Sequence, residues 1–78
     1  MTWHNLTESV GQCLVSRRKV LNLSLDYLAL EVFADKAHLR KIEQGQANSS
    51  LRMMSKIVRV LQTSVYEICM HAENAQYK

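Results

Sequence analysis

The chain has 78 residues, 47% of them apolar and 22% charged, with a formal net charge of +3. A domain this small buries only about 60% of the surface its unfolded form exposes, so the length has room for one domain and one core and excludes a second. The composition also excludes a disordered chain, and Asp26, Glu31 and Asp35 interrupt the most apolar region before it reaches the ~18 residues a membrane span needs.

There is no proline and there are two glycines, which suits helices joined by short turns and is poor material for a strand-and-turn fold. We therefore expect an all-α fold: a single domain over residues 1–78, with its core in 6–70 and a frayed tail from 71 to 78. Trp3 covers one end of the core in this reading. Asn5 and Glu8 have the spacing of a capping box, and Leu6, Val10, Cys13, Leu14 and Leu21 recur at helical spacing, which predicts helix 1 over 6–21. Asn22, tolerant of the left-handed conformation, ends it.

Ser24 is an N-cap for a short helix 2 whose apolar face is Leu25, Leu28, Ala29 and Val32. Asp35 caps helix 3 after only a tight turn, and Gly45 stops that helix by permitting positive φ. Gln46 to Ser50 is a loop. Leu51, Met54, Ile57, Val58 and Leu61 trace the inner stripe of helix 4, and the Ser64 to Glu67 capping box opens a short helix 5 with Val65, Ile68 and Cys69 facing inward.

Cys13 and Cys69 lack CxxC spacing, paired histidines or a secretory leader, so reduced thiols in a cytoplasmic protein are expected. His4, His38 and His71 fall in separate elements, no nucleophile is paired with a base, and no phosphate-cradling loop or metal-ligand cluster is present. We expect no enzyme, no cofactor and no metal. The basic excess favours an anionic partner.

Two short helices joined by a tight turn have the sequence form of a helix-turn-helix. With Leu39 pointing inward, Ile42 and Glu43 share its side of helix 3, whereas Ala37, Lys41 and Gln44 point away, flanked by His38 and Arg40. Lys36 projects from the leading end. A small, polar, cationic outer face of this kind fits a DNA groove, where lysine and arginine donate to guanine O6 and N7 and to phosphates.

These residues resemble the lambda-repressor-like (XRE/Cro-type) helix-turn-helix family. In SRRKVLNLSLDYLA, Arg18, Leu23, Ser24, Leu28 and Ala29 match the family's R-x-x-x-G-L-S-x-x-x-L-A pattern, with Asn22 in place of glycine. In HLRKIEQG, Leu39, Ile42, Glu43 and Gly45 match L-x-x-I-E-x-G, and NSSLRMMSKIVRVL is similar to the fourth helix; the resemblance spans residues 10 to about 69. It implies a compact five-helix bundle with helices 2 and 3 as the helix-turn-helix, and a transcriptional regulator, repressor-like, that binds double-stranded DNA as a homodimer on a roughly palindromic operator.

Carried over by position, the resemblance makes Lys36, Ala37 and Lys41 base-facing and assigns Arg40, Gln44, Gln46 and Asn48 to phosphates, with His38 beside them. Glu43, on the inner side, needs a cation, because an ionised carboxylate left buried and unpaired costs several kcal/mol. Periodicity places both Arg17 and Arg18 at the edges of helix 1's stripe and does not choose between them; the resemblance selects Arg18. Met53, Val65, Tyr66 and Met70 exceed what one small core absorbs, and are read either as a dimer interface or as the finish of the core.

The chain departs from the family pattern at Leu25, where glutamine is usual, at Phe33, where the turn glycine is usual, and at Ser49, where proline is usual. Phe33 must adopt an uncommon backbone conformation or reshape the turn. Together the departures imply altered or reduced DNA affinity, and they favour a second reading: an antitoxin that holds a toxin, or a protein-interaction module of the same fold.

Overall fold

The computed structural model describes residues 3–76, with side chains from 6 to 74. Five helices follow one another: α1 (Trp3–Val20), α2 (Leu25–Val32), α3 (Lys36–Glu43), α4 (Leu51–Val60) and α5 (Val65–Gln76). The long helices α1 and α5 lie against each other; α3 packs on α1 and α2, and α4 packs on α2. Leu14, Leu28, Leu39, Ile57 and Leu61 lie almost wholly out of water at the centre, so each of the first four helices contributes at least one fully buried leucine or isoleucine, and Leu61 closes α4.

Serines start the later helices. The hydroxyls of Ser24, Ser50 and Ser64 accept from the backbone N–H of Tyr27, Met53 and Glu67 at 3.0, 3.0 and 3.1 Å, each satisfying one donor that the helix itself leaves free. Asp35 occupies the N-cap position of α3 but its side chain makes no capping hydrogen bond, contrary to expectation; its exposed carboxylate stays in water and complements only the helix dipole. Glu67 does not close its capping box either. Its carboxylate accepts from the Thr63 hydroxyl at 3.2 Å.

One device ends all of the first four helices. Asn22, Phe33, Gly45 and Gln62 hold φ of 57, 55, 75 and 58°, each with its own N–H bonded three residues back and the next N–H five residues back, the Schellman arrangement. Only one of the four is glycine. Each of the others carries a side chain where left-handed backbone costs about 1 kcal/mol.

Several expectations are corrected. Helix α1 begins at Trp3, so Asn5 is inside the helix and is not its N-cap; the side chains of Trp3 and Asn5 lie outside the described residues. Leu51, expected in the inner stripe of α4, is 72% exposed, and the stripe meets the core only from Met54 on. Helix α5 continues through Gln76, and Ala72 within it is fully buried, so the core extends beyond residue 70, where it was expected to end. A single small side chain in a polar tail gave no periodic signal for that burial.

Gly11 decides how closely α1 and α3 approach. A Cβ there would run into the Glu43 carbonyl oxygen and lie 2.7 Å from that of Ile42, so the two backbones touch where no side chain fits. Cys13 and Cys69 are free thiols at half-buried positions on α1 and α5. Burial, with Cys69 nearby, pushes the Cys13 thiol above its ordinary value, away from the reactive thiolate.

Candidate nucleic-acid interface

Helix α3 is eight residues long and divides cleanly by face. Leu39 and Ile42 are buried, whereas Ala37, His38, Arg40, Lys41 and the capping Gln44 are exposed. Two cations, Arg40 and Lys41, thus stand beside a histidine and an alanine with no acidic side chain among them.

The inner edge of α3 is fixed to α1 by a fork of hydrogen bonds. Arg18 donates from Nε to Glu43 Oε2 at 2.8 Å and from Nη2 to Glu43 Oε1 at 3.0 Å, and its Nη1 donates to the Leu23 carbonyl at 2.9 Å. With side-chain exposures of 15% and 8%, little water competes for these groups. The planar guanidinium matches a carboxylate at two points, which fixes orientation as well as distance. The Glu43 hydrogen bond, with its charge, raises the pKa of Arg18 against the opposing effect of burial, so the cation persists throughout the neutral range.

The neighbouring arginine has a separate task. Arg17 donates from Nε to the Leu61 carbonyl at 2.8 Å and from Nη2 to that of Gln62 at 3.1 Å, closing the end of α4. Two consecutive arginines therefore diverge from the end of α1, one to α3 and one to α4.

The residues expected to touch DNA do not all stand alike. Lys36, at the leading end, forms an ion pair with Asp26 of α2 at 2.9 Å, in which the Asp26 side chain is largely in water and that of Lys36 partly so. Asn48 accepts from the Thr7 hydroxyl at 3.3 Å, which tethers the loop after α3 to α1. Gln46 is exposed in that loop. Leu25, in the position where glutamine is usual, packs against the core and offers no hydrogen bond outward. It lines a depression of about 370 Å³ together with Lys19, Lys36, Arg40 and Gln44 and with the carboxylates of Asp26 and Glu43, which pair with Lys36 and Arg18. Lys19 was not singled out in the sequence, although the run Arg17-Arg18-Lys19 marked the end of α1 as basic.

The four apolar dimer candidates separate into two pairs. Met53 and Val65 are half-buried against the core, while Tyr66 and Met70, one helical turn apart on α5, are exposed.

Neither protein-family models nor curated sequences match the chain. Solved structures do. The chain superposes on the clp gene regulator ClgR from C. glutamicum with a TM-score of 0.84 and 25% identity, covering 88% of each chain. It superposes on the restriction-modification controller protein C.AhdI from Aeromonas hydrophila with a TM-score of 0.74 and 30% identity, covering 81% of this chain and 94% of the other. A second structure of ClgR gives a TM-score of 0.86 at 24% identity over 90% of this chain and 74% of the other, a likeness of fold.

Proposed function

The chain belongs to the lambda-repressor-like helix-turn-helix family, and from that membership we propose that it is a DNA-binding transcriptional regulator that lays α3 in the major groove of a roughly palindromic operator as a homodimer. The observation that carries this reading is the division of α3: its inner edge is locked by the Arg18–Glu43 fork, which leaves a rigid cationic outer face. Rigid support matters because base edges are read by side chains held in register, while phosphate contacts supply affinity.

In this reading Lys36, Ala37 and Lys41 face base edges. His38, Arg40, Gln44, Gln46 and Asn48 flank them, and Lys19, on the wall of the same depression as Lys36 and Arg40, adds a phosphate contact. Tyr66 and Met70 are the core of the dimer contact, with Met53 and Val65 at its inner margin. No described helix is long and apolar enough to cross a membrane, and a cytoplasmic site of action suits the function. Neither a cofactor nor a catalytic step is part of the proposal.

Selection of bound duplexes from a random pool, followed by titration of the winner, tests it. Lys41→Glu is expected to weaken that binding by at least about tenfold, because it swaps attraction to the duplex for repulsion, and to leave the melting temperature almost unchanged. Failure to enrich any duplex at low salt, with no response to Lys41→Glu, ends the reading. The second reading, a module that grips a partner protein such as a toxin, is favoured by Leu25 and by the exposed Phe33. Co-purification of a second chain by a protein that ignores DNA would select it.

A further inference from the structure

A groove of about 760 Å³ runs between the turn that ends α2 and the outer side of α4. It shares no residue with the exposed face of α3. Phe33, Leu51 and Val60 give it an apolar strip, and Arg52, Lys56 and Arg59 line it with charge.

Folding does not explain Phe33. Its backbone is left-handed, at φ 55°, where glycine would sit without strain, and its ring is 91% exposed, where a polar side chain would suit the solvent. A residue that is strained and leaves its ring in water calls for a role outside the fold. Leu51 is exposed on the same groove, and apolar side chains gathered at one groove are the mark of a contact surface more than single exposed residues are.

The charge on the groove has one sign along α4. Arg52, Lys56 and Arg59 follow the i, i+4, i+7 spacing of one helical side, α4 contains no acidic residue, and neither ion pair among the described residues involves them. We propose that this groove docks an acidic amphipathic helix of a partner protein, its apolar stripe on Phe33, Leu51 and Val60 and its carboxylates against Arg52, Lys56 and Arg59. Glu31 stands on the α2 side, its carboxylate accepting from the Tyr27 hydroxyl at 3.1 Å. It repels a second row of acids there and so sets which flank of the partner helix turns to α4.

The alternatives fit less well. A duplex would satisfy the three cations but offers Phe33 and Leu51 little apolar surface beyond thymine methyls and base faces inside its grooves, whereas the stripe of an amphipathic helix is continuous. A second copy meeting this groove with its own groove by two-fold symmetry would bring three cations against three.

The test uses the full chain and two synthetic helical peptides that share leucines at i, i+3, i+4 and i+7, one flanked by glutamates and one by lysines. The glutamate peptide is expected to shift the amide resonances of Phe33, Leu51 and Arg59 and to bind at least about tenfold tighter than the lysine peptide. Phe33→Gly, which suits the left-handed backbone and so keeps or raises the melting temperature, is expected to weaken that binding about tenfold without weakening duplex affinity, since glycine is the residue usual at this turn. The double change Arg52→Glu with Lys56→Glu is expected to weaken binding of the glutamate peptide at least as much from the charged side and to favour the lysine peptide instead, while its loss of four units of charge also lowers duplex affinity at low salt. Equal binding of the two peptides, no shift at these residues with the glutamate peptide, or shifts there with duplex DNA or with protein concentration alone would each overturn the proposal. Because duplex affinity is read separately, failure of the groove and failure of the DNA reading give different results.

Discussion

Two ion pairs hold the ends of α3, and their lengths are nearly equal: 2.9 Å for Lys36 with Asp26 at the first residue, 2.8 Å for Arg18 with Glu43 at the last. Their surroundings differ. The side chains of the first pair are 43% and 73% exposed, those of the second 15% and 8%. In water-filled surroundings a lysine–carboxylate contact contributes roughly 0–1 kcal/mol and weakens with salt, whereas an arginine fork shielded from water cannot lose one partner without stranding the other. Burial and the number of hydrogen bonds, more than distance, set the worth of each. The helix is consequently fixed at its trailing end and adjustable at its leading end, where Lys36 can exchange Asp26 for a base or a phosphate at small cost.

Glu43→Ala is the strongest way to break this contrast. Arg18 would keep only the Leu23 carbonyl, and a loss of about 3 kcal/mol is expected, which in a domain of this size lowers the melting temperature by more than about 10 °C. Chemical denaturation checks it. Since Arg18 stays protonated throughout the neutral range, with its pKa raised by Glu43, the stabilisation is fully present there and is lost on the alkaline side as pH rises through that raised value; the deficit of Glu43→Ala relative to the native chain should therefore be flat between pH 6 and 9. A deficit below about 1 kcal/mol would mean that the buried fork is worth no more than a surface pair.

Gly11→Ala comes next. The added methyl meets backbone carbonyls of α3, which cannot rotate aside as a side chain would, so α1 and α3 must separate and loosen the fork beside them. Roughly 1–3 kcal/mol of destabilisation is expected, somewhat offset by the better helix propensity of alanine. If the variant proves as stable as the native chain, the close approach at Gly11 is not what seats α3.

Gly11 also shows where sequence reading stops. The five helices were legible because apolar residues recurred at helical spacing and because Ser24, Ser64, Asn22 and Gly45 are local signals that act on their own neighbours. The cationic face of α3 was legible for the same reason, since a helical wheel needs only one element. Gly11 carries no such mark: its importance lies in a contact with Glu43 and Ile42, more than thirty residues away in the chain. Gln62 carries no local signal because glutamine is an ordinary helix residue, and only the turn of the chain into α5 forces it into the left-handed region. The partner of Glu43 was narrowed to Arg17 or Arg18 by periodicity, but their divergence to α4 and α3 depends on the angle at which three helices meet. Lys36 was placed at the leading end of α3, and its pairing with Asp26 required knowing how α2 is set against α3.

Asp26→Asn sharpens the comparison with the smallest expected effect on stability, under about 1 kcal/mol and shrinking further as salt is added. Its effect on binding runs the other way. Removing this carboxylate releases Lys36 and deletes a negative charge beside the proposed path of the phosphates, so affinity for duplex DNA should rise severalfold at low salt, with a steeper salt dependence. General electrostatics alone would produce some gain, so Lys36→Ala in the same background separates the two causes. If release of Lys36 is the cause, that second change removes most of the gain; if the gain survives it, Asp26 acts only through its charge and the leading end of α3 is not adjustable in the way its exposed ion pair implies.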